Sequence, residues 1–174
     1  VSDGKYAKVH KNIIENNNRP NFAKKGNMVA LVPQGTGILI VAADHNEVHD
    51  NTIKDNSSLG VTVIDYTDFI FGSWDDEEFD PHAEGNYVHH NTFENNGYEP
   101  KGMVELNVFP NPFPDLAWDG CASGEDHLAN CFFENGDATY ANVKICDKFV
   151  TTTDLESVTC EYEPLDPVVI EGAQ

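Results

Sequence analysis

The chain has 174 residues, with 30 acidic side chains against 10 basic ones, and carries a formal net charge of −20. This excess of carboxylates argues against nucleic acid and anionic membrane surfaces as partners, because both need clustered Lys and Arg. The length and a hydrophobic fraction of 40% fit one folded domain. No apolar run in the sequence reaches the roughly 20 residues that span a bilayer.

An internal repeat runs through most of the chain, and it draws on an unusual content of 18 asparagines. Three copies, at residues 9–17, 48–56 and 88–96, share the pattern Val-x-x-Asn-x-(Ile/Phe)-x-x-Asn, and residues 130–135 form a degraded fourth copy. The leading asparagines, spaced 39, 40 and 39 residues apart, are Asn12, Asn51, Asn91 and Asn130. This even spacing indicates one supersecondary unit repeated along the chain.

The repeat predicts short strands rather than helices, because Asn, Thr, Gly and β-branched residues dominate it and no helical apolar stripe runs through it. Each copy places Val and Ile or Phe inward and asparagine at the corners. Second strands follow at 37–41 and 60–64, and the 23 residues from Gly37 to Gly60 match one coil. We predict an all-β fold, a right-handed parallel β-helix (solenoid) of about four rungs with stacked asparagine ladders.

Longer inserts separate the copies of the repeat. Residues 18–36, 66–86 and 97–120 fit loops on the rungs. These loops should project from one side of the solenoid, because they recur at the same position within each repeat. The predicted domains are β-helix rungs over 1–120 and a Cys-containing C-terminal cap and tail over 121–174. The repeat begins close to the first residue, so the N-terminal end of the column is expected to dock on upstream rungs or on another chain.

The four cysteines all lie in the last third of the chain, and none forms a CxxC pair. They are Cys121, Cys131, Cys146 and Cys160. Two disulfides explain this set better than four reduced, partly buried thiols, and three pairings are possible. Disulfides imply an oxidising compartment, so we expect an extracytoplasmic protein: periplasmic, on the cell surface or secreted.

Three segments of the chain resemble a known family. The runs NNNRPNFAKKGN (16–27) and VPQGTG (32–37), with Trp118-Asp119-Gly120, look like bacterial parallel β-helix repeat proteins of the secreted or lipoprotein type, which have a pectate-lyase-like superfold. The resemblance covers residues 5–120 approximately. It implies the fold and a chain that is the C-terminal portion of a longer solenoid, and it supplies no catalytic motif.

The densest carboxylates lie in the second loop. Asp75, Asp76 and Glu77 are candidate catalytic acids, since hydrolysis of a neutral polysaccharide needs two suitably separated carboxylates. Lyase or epimerase chemistry on a uronate polymer is disfavoured, because Arg19 is the single arginine and the net charge repels polyanions. A solvated charged surface is the plainer interpretation of the acidic run.

The same loop is a candidate calcium site, and calcium is the one cofactor that the sequence suggests. Its ligands would be Asp75, Asp76, Glu78 and Asp80. Several carboxylate oxygens within a short loop suit a hard cation. The spacing differs from that of an EF-hand loop, so the calcium assignment rests on composition alone.

Histidines form a second group of candidate metal ligands. His10, His49 and His89 occupy the same repeat position, so in a β-helix their rings would stack about 4.8 Å apart and point outward. With neighbouring side chains they could complete a zinc or copper site. Three imidazoles in a line do not make a tetrahedron, and a purely structural ladder is the alternative.

Four aromatic residues are candidates for binding a ligand: Trp74, Phe109, Phe113 and Trp118. Prolines limit the flexibility of residues 109–118, which favours a preformed platform for a glycan or a protein. The alternative is that these rings cover the side of the rungs.

Two functions follow from these patterns. The first is a non-catalytic binding or assembly module that contacts a polysaccharide or a protein through its loops. The second is part of a polysaccharide-active enzyme, a hydrolase, lyase or epimerase whose groove is completed by upstream rungs. The fold alone does not decide between them, because parallel β-helices support both.

Overall fold

A computed structural model describes residues 4–73, 75–121 and 129–167, and within them the chain forms thirteen short strands and four helical turns. The strands are β1 (Gly4–Lys5), β2 (Lys8–His10), β3 (Ile13–Glu15), β4 (Thr36–Val41), β5 (Ala43–Asp44), β6 (Glu47–His49), β7 (Thr52–Lys54), β8 (Leu59–Ile64), β9 (Tyr87–His89), β10 (Thr92–Glu94), β11 (Leu116–Trp118), β12 (Cys131–Phe133) and β13 (Tyr140–Asn142). The helical turns are α1 (Asp68–Phe71) and the 3-10 turns Met28–Leu31, Gly102–Glu105 and Glu156–Val158. In these described ranges, no helix has the length and apolar character needed to cross a membrane.

The strands pair in parallel, each with the equivalent strand of the next repeat. Sheet 1 has the order β2-β6-β9-β12, sheet 2 the order β3-β7-β10, and sheet 3 the order β4-β8-β11-β13. A two-stranded sheet joins β1 to β5. The prediction of an all-β fold built from parallel strands is confirmed.

The inward positions of the repeat form the core. Val9, Val48, Val88 and Phe132 are aligned across sheet 1, and Ile14, Ile53 and Phe93 are aligned across sheet 2. Together with Val61 and Val63 of β8, these side chains belong to one hydrophobic cluster. Burial of an apolar side chain contributes roughly 1.5–3 kcal/mol, so this column is a main source of stability.

Asparagines stack at three corners of the repeat. The ladders are Asn12-Asn51-Asn91-Asn135, Asn46-Asn86-Asn130 and Asn17-Asn56-Asn96. In each step the backbone N–H and Nδ2 of one asparagine donate to Oδ1 of the next, at 3.0 and 2.9 Å for Asn51 and Asn91. The ladders therefore satisfy amides that burial would otherwise leave unpaired.

The phase of the fourth copy differs from the prediction. Asn130 stacks on Asn86, not on Asn91, whose ladder continues at Asn135. Phe132 accordingly lies beside Val88 in sheet 1. The error has a simple cause: asparagines recur five residues apart at successive corners, as in Asn130 and Asn135, so a slip by one corner still places asparagine on asparagine.

The C-terminal third extends the sheets. Strands β12 and β13 add to sheets 1 and 3, and Leu116–Trp118, which the sequence assigns to the third loop, form β11 in sheet 3. Leu116 and Ala117 are fully buried there, so packing explains the strand. The prediction of two disulfides is confirmed, with the pairs Cys121–Cys146 and Cys131–Cys160 joining the segment after β13 to the last repeats.

Candidate functional site

An apolar pocket lies against the outer face of sheet 3, with a cavity volume of about 160 Å³. Its floor comes from alternate residues of two strands, Leu39 and Val41 of β4 and Thr62 and Ile64 of β8. Val61 and Val63 face the core, so their neighbours must face outward. This sheet is therefore apolar on both faces, and its outer face needs a cover.

Three inserted loops supply that cover. Val29 comes from the first loop, Phe71 from α1 in the second, and Val104 and Phe109 from the third. Val143 and Ile145, just after β13, complete the wall. The inserts thus converge on one sheet face, and the pocket they leave is lined by side chains of sheet 3, of the three inserts and of the segment after β13.

Thr62 is the polar exception in this pocket. The residue is 4% exposed, and its Oγ1 is buried without a hydrogen-bond partner among the described residues. A buried hydroxyl that lacks a partner destabilises a protein by roughly 1–3 kcal/mol. Such a group is retained at a cost to stability. Because Oγ1 has almost no accessible surface, a polar group of a ligand would pair with it only after the Thr62 side chain rotates toward the pocket.

The predicted aromatic binding residues divide among three locations. Phe109 and Phe113 both line the pocket, with ring centroids 6.2 Å apart, and Phe113 is 3% exposed. They form an inner wall rather than an open platform. Trp118 lies on β11 and packs against the core cluster. Trp74 lies outside the described residues.

The acidic loop does not assemble a site in the described part of the chain. Asp75, Asp76, Glu77 and Glu78 are exposed, and Asp76 Oδ1 accepts a hydrogen bond from the Glu78 backbone at 3.0 Å. Asp80 Oδ1 accepts one from the His82 backbone. None of these carboxylates belongs to the groups of converging ligand atoms found among the described residues. Calcium binding and catalysis at this loop therefore stay predictions.

The histidine column stacks as the repeat predicts. The rings of His10 and His49 are 4.9 Å apart and those of His49 and His89 are 5.1 Å apart, all nearly parallel. Their exposure differs from expectation: His10 is open to solvent, whereas His89 is 7% exposed. The outer face of sheet 1 is partly covered by the C-terminal segment near Leu165.

Glu47 is the residue that sequence analysis missed beside this column. It is 2% exposed, and its carboxylate lies 3.0 Å from Lys8 Nζ and 3.1 Å from His89 Nε2. Burial alone would raise the pKa of Glu47, but hydrogen bonds from Lys8, His89 and the Leu165 backbone hold it below its usual value. Equivalent positions in the other copies carry Lys8 and Tyr87, so no repeat pattern pointed to a carboxylate here.

A second buried group surrounds Asp119. Its Oδ2 accepts the Asp65 N–H at 2.6 Å and its Oδ1 accepts the Cys121 N–H at 3.1 Å. Asp65 in turn contacts His82 Nδ1 at 2.6 Å. Cys121 is disulfide-bonded and has no thiolate to offer a metal, so this cluster fixes the chain after β8 and β11.

No protein-family model, curated protein or solved structure matches this chain. The family resemblance noted in the sequence therefore remains a prediction, and the function has to be inferred from the geometry of these sites.

Proposed function

We propose that this protein is an extracytoplasmic, right-handed parallel β-helix with a binding role rather than a catalytic one. Parallel pairing of equivalent strands over successive repeats supports the β-helix, and the two disulfides support an oxidising compartment. The observation that carries the binding role is the apolar pocket on sheet 3, with the unpartnered Thr62 hydroxyl in its lining.

The proposed ligand is a small apolar molecule, or an apolar group of a larger one, that carries one hydrogen-bonding atom. An apolar cavity of roughly 150 Å³ stays dry and accommodates benzene, and the pocket here has a volume of about 160 Å³. Its walls offer sugars few polar partners, which disfavours a glycan at this position. Polysaccharide cleavage gains no support, because the candidate acids Asp75, Asp76 and Glu77 are exposed and none of them lines this pocket.

Benzene and phenol, which differ by one hydroxyl group, test this assignment. We expect both to bind saturably, with phenol binding about fivefold more tightly because one hydrogen bond contributes roughly 1 kcal/mol. Thr62→Val keeps the shape and removes the hydroxyl, so it should abolish the preference for phenol. Isothermal titration calorimetry would measure both ligands.

The same substitution should stabilise the ligand-free protein by about 1 kcal/mol, because it removes an unpaired buried hydroxyl. Thr92→Val, at an exposed position of β10, is the matched control and should change neither property. Absence of saturable binding by either ligand would contradict the proposal, and so would an unchanged preference for phenol in Thr62→Val.

A further inference from the structure

We propose that Glu47, His49 and His89 bind a divalent transition metal, with zinc the best fit. One ligand atom from each residue lies within 4.8 Å of the other two. Glu47 Oε1 is 3.1 Å from His89 Nε2 and 3.8 Å from His49 Nε2. This site lies on sheet 1, so it is separate from the pocket on sheet 3.

The hydrogen bonding of His49 turns a lone pair toward Glu47. Its Nδ1 lies 3.0 Å from Asp50 Oδ2, and a carboxylate can only accept, so Nδ1 carries the proton. Nε2 of the neutral ring is then an acceptor, and it is buried without a hydrogen-bond partner among the described residues. Two acceptors, Nε2 and the Glu47 carboxylate, face each other across a gap that a cation would fill.

His89 is oriented in the same way by a chain of side chains. His90 Nε2 lies 2.7 Å from Glu134 Oε2, so it donates to that carboxylate. In neutral His90, Nδ1 is then an acceptor, placed to receive a hydrogen bond from His89 Nδ1, 2.7 Å away. In the free protein His89 Nε2 donates to Glu47 Oε1 at 3.1 Å, so zinc would displace that proton and His89 would keep its remaining proton on Nδ1. Carboxylates that fix the tautomer of ligating histidines are a regular part of zinc sites.

The donor set and its spacing favour zinc over calcium. Two imidazole nitrogens and one carboxylate oxygen suit zinc, whereas calcium takes oxygen ligands. Ligand atoms of a tetrahedral zinc lie about 3.3 Å apart, given bonds of about 2.0 Å. The observed distances from Glu47 Oε1, 3.1 and 3.8 Å, are close to this value, and the two imidazole nitrogens lie within 4.8 Å of each other. Glu47 would bind through Oε1, since Lys8 and the Leu165 N–H occupy Oε2.

A cavity of about 190 Å³ borders one of the three ligands, Glu47, and is also lined by Tyr87 and Tyr162. Neither His49 nor His89 belongs to its lining, so a water or a small anion serving as the fourth ligand would have to approach zinc from the Glu47 side. His10 belongs to the ring column but not to the converging group, so the site replaces the predicted His10-His49-His89 set by exchanging His10 for Glu47.

Metal titration of the whole chain tests the proposal. After treatment with EDTA and its removal, zinc chloride should raise the melting temperature, and cobalt(II) should give visible absorption typical of a four-coordinate site. His49→Ala should weaken zinc binding at least tenfold and remove the cobalt spectrum. His10→Ala removes a ring from the same column and should leave the zinc affinity and the cobalt spectrum unchanged.

Asp50→Asn tests the orienting carboxylate without touching a ligand. We expect zinc affinity to fall by about 10- to 100-fold, as it does when partners of ligating histidines are changed. The proposal is overturned if zinc causes no shift in melting temperature at neutral pH, or if His10→Ala loses as much affinity as His49→Ala. Protonated Nε2 of His49 at neutral pH, seen by nitrogen NMR in the presence of zinc, would also overturn it, because a proton would then occupy the gap.

Discussion

Asp119 is a carboxylic acid with no exposed surface, next to a second carboxylate. Burial and the charge of Asp65 raise the pKa of Asp119 to about 7 from a usual value of 3.8. The folded state therefore holds this proton more tightly than the unfolded state. The stabilisation that protonated Asp119 gives the folded state is complete below about pH 4, and it is lost as the pH rises through about 7. A shift of this size corresponds to as much as about 4 kcal/mol.

Asp65→Asn should weaken this pH dependence. The amide removes the charge that disfavours ionised Asp119, while Oδ1 can still accept the Ala83 N–H. We expect the loss of stability between pH 4 and 8 to become smaller than in the natural protein, as measured by urea unfolding at several pH values. Asp68→Asn, at an exposed position of α1, is the control. If stability falls with pH equally in Asp65→Asn and in the natural protein, the charge of Asp65 is not what raises the pKa of Asp119.

At the scale of the strand and its corner, the asparagine ladder is the element that repeats most regularly. The corner residue before a ladder asparagine has a left-handed backbone, as in Lys11, Asp50 and His90, with φ of 57°, 53° and 52°. This conformation turns the chain between two strands of three residues. The asparagine that follows then holds the corner to the next repeat through its amide.

Asn91 lies at the centre of a ladder and should be the most costly member to remove. Its Oδ1 accepts from Asn51, and its Nδ2 donates to the Val48 carbonyl and to Asn135. Asn91→Ala leaves several buried groups unpaired, and we expect a loss of about 3 kcal/mol or more in urea unfolding. Asn12→Ala, at the exposed end of the same ladder, should cost about 1 kcal/mol. Equal losses at both positions would argue against the ladder as a source of stability.

At the scale of the whole molecule, the three main sheets share one end at which the described residues supply no further strand. Strands β2, β3 and β4 are the edges of the three main sheets, and no strand in the described ranges pairs with their outer sides. Val9 and Ile14 at this end are only partly buried. Exposed parallel edges and an uncovered apolar column favour association, so we propose that this end packs on strands of the same repeat type.

Light scattering over a range of concentrations tests that proposal on the chain itself, with a second copy as the available partner. We expect concentration-dependent association that Val9→Lys weakens at least tenfold, because the lysine places a charge at the open end of the column. Ile13→Lys is the matched control, since Ile13 is 72% exposed and lies away from the core cluster. A folded monomer at every concentration would contradict self-association through this end.

The sequence by itself determined the features that repeat. Identical side chains must stack when equivalent strands pair in parallel, so the repeat positions of Val48, Asn51 and His49 are enough to predict the core, a ladder and the ring column. The number of cysteines likewise predicted two disulfides. The phase of the last copy was ambiguous, because asparagine returns at each corner and a slipped alignment has nearly the same chemistry.

Only the tertiary structure decided the features that do not repeat. Thr62 and Phe113 come together in the pocket because loops of different repeats fold over one sheet face, and their spacing along the chain carries no sign of it. Glu47 meets His89 because parallel pairing brings residues 42 positions apart within 3.1 Å. The disulfide pairing has the same origin: which cysteines meet depends on where the last strands lie, and that is set by packing rather than by sequence spacing.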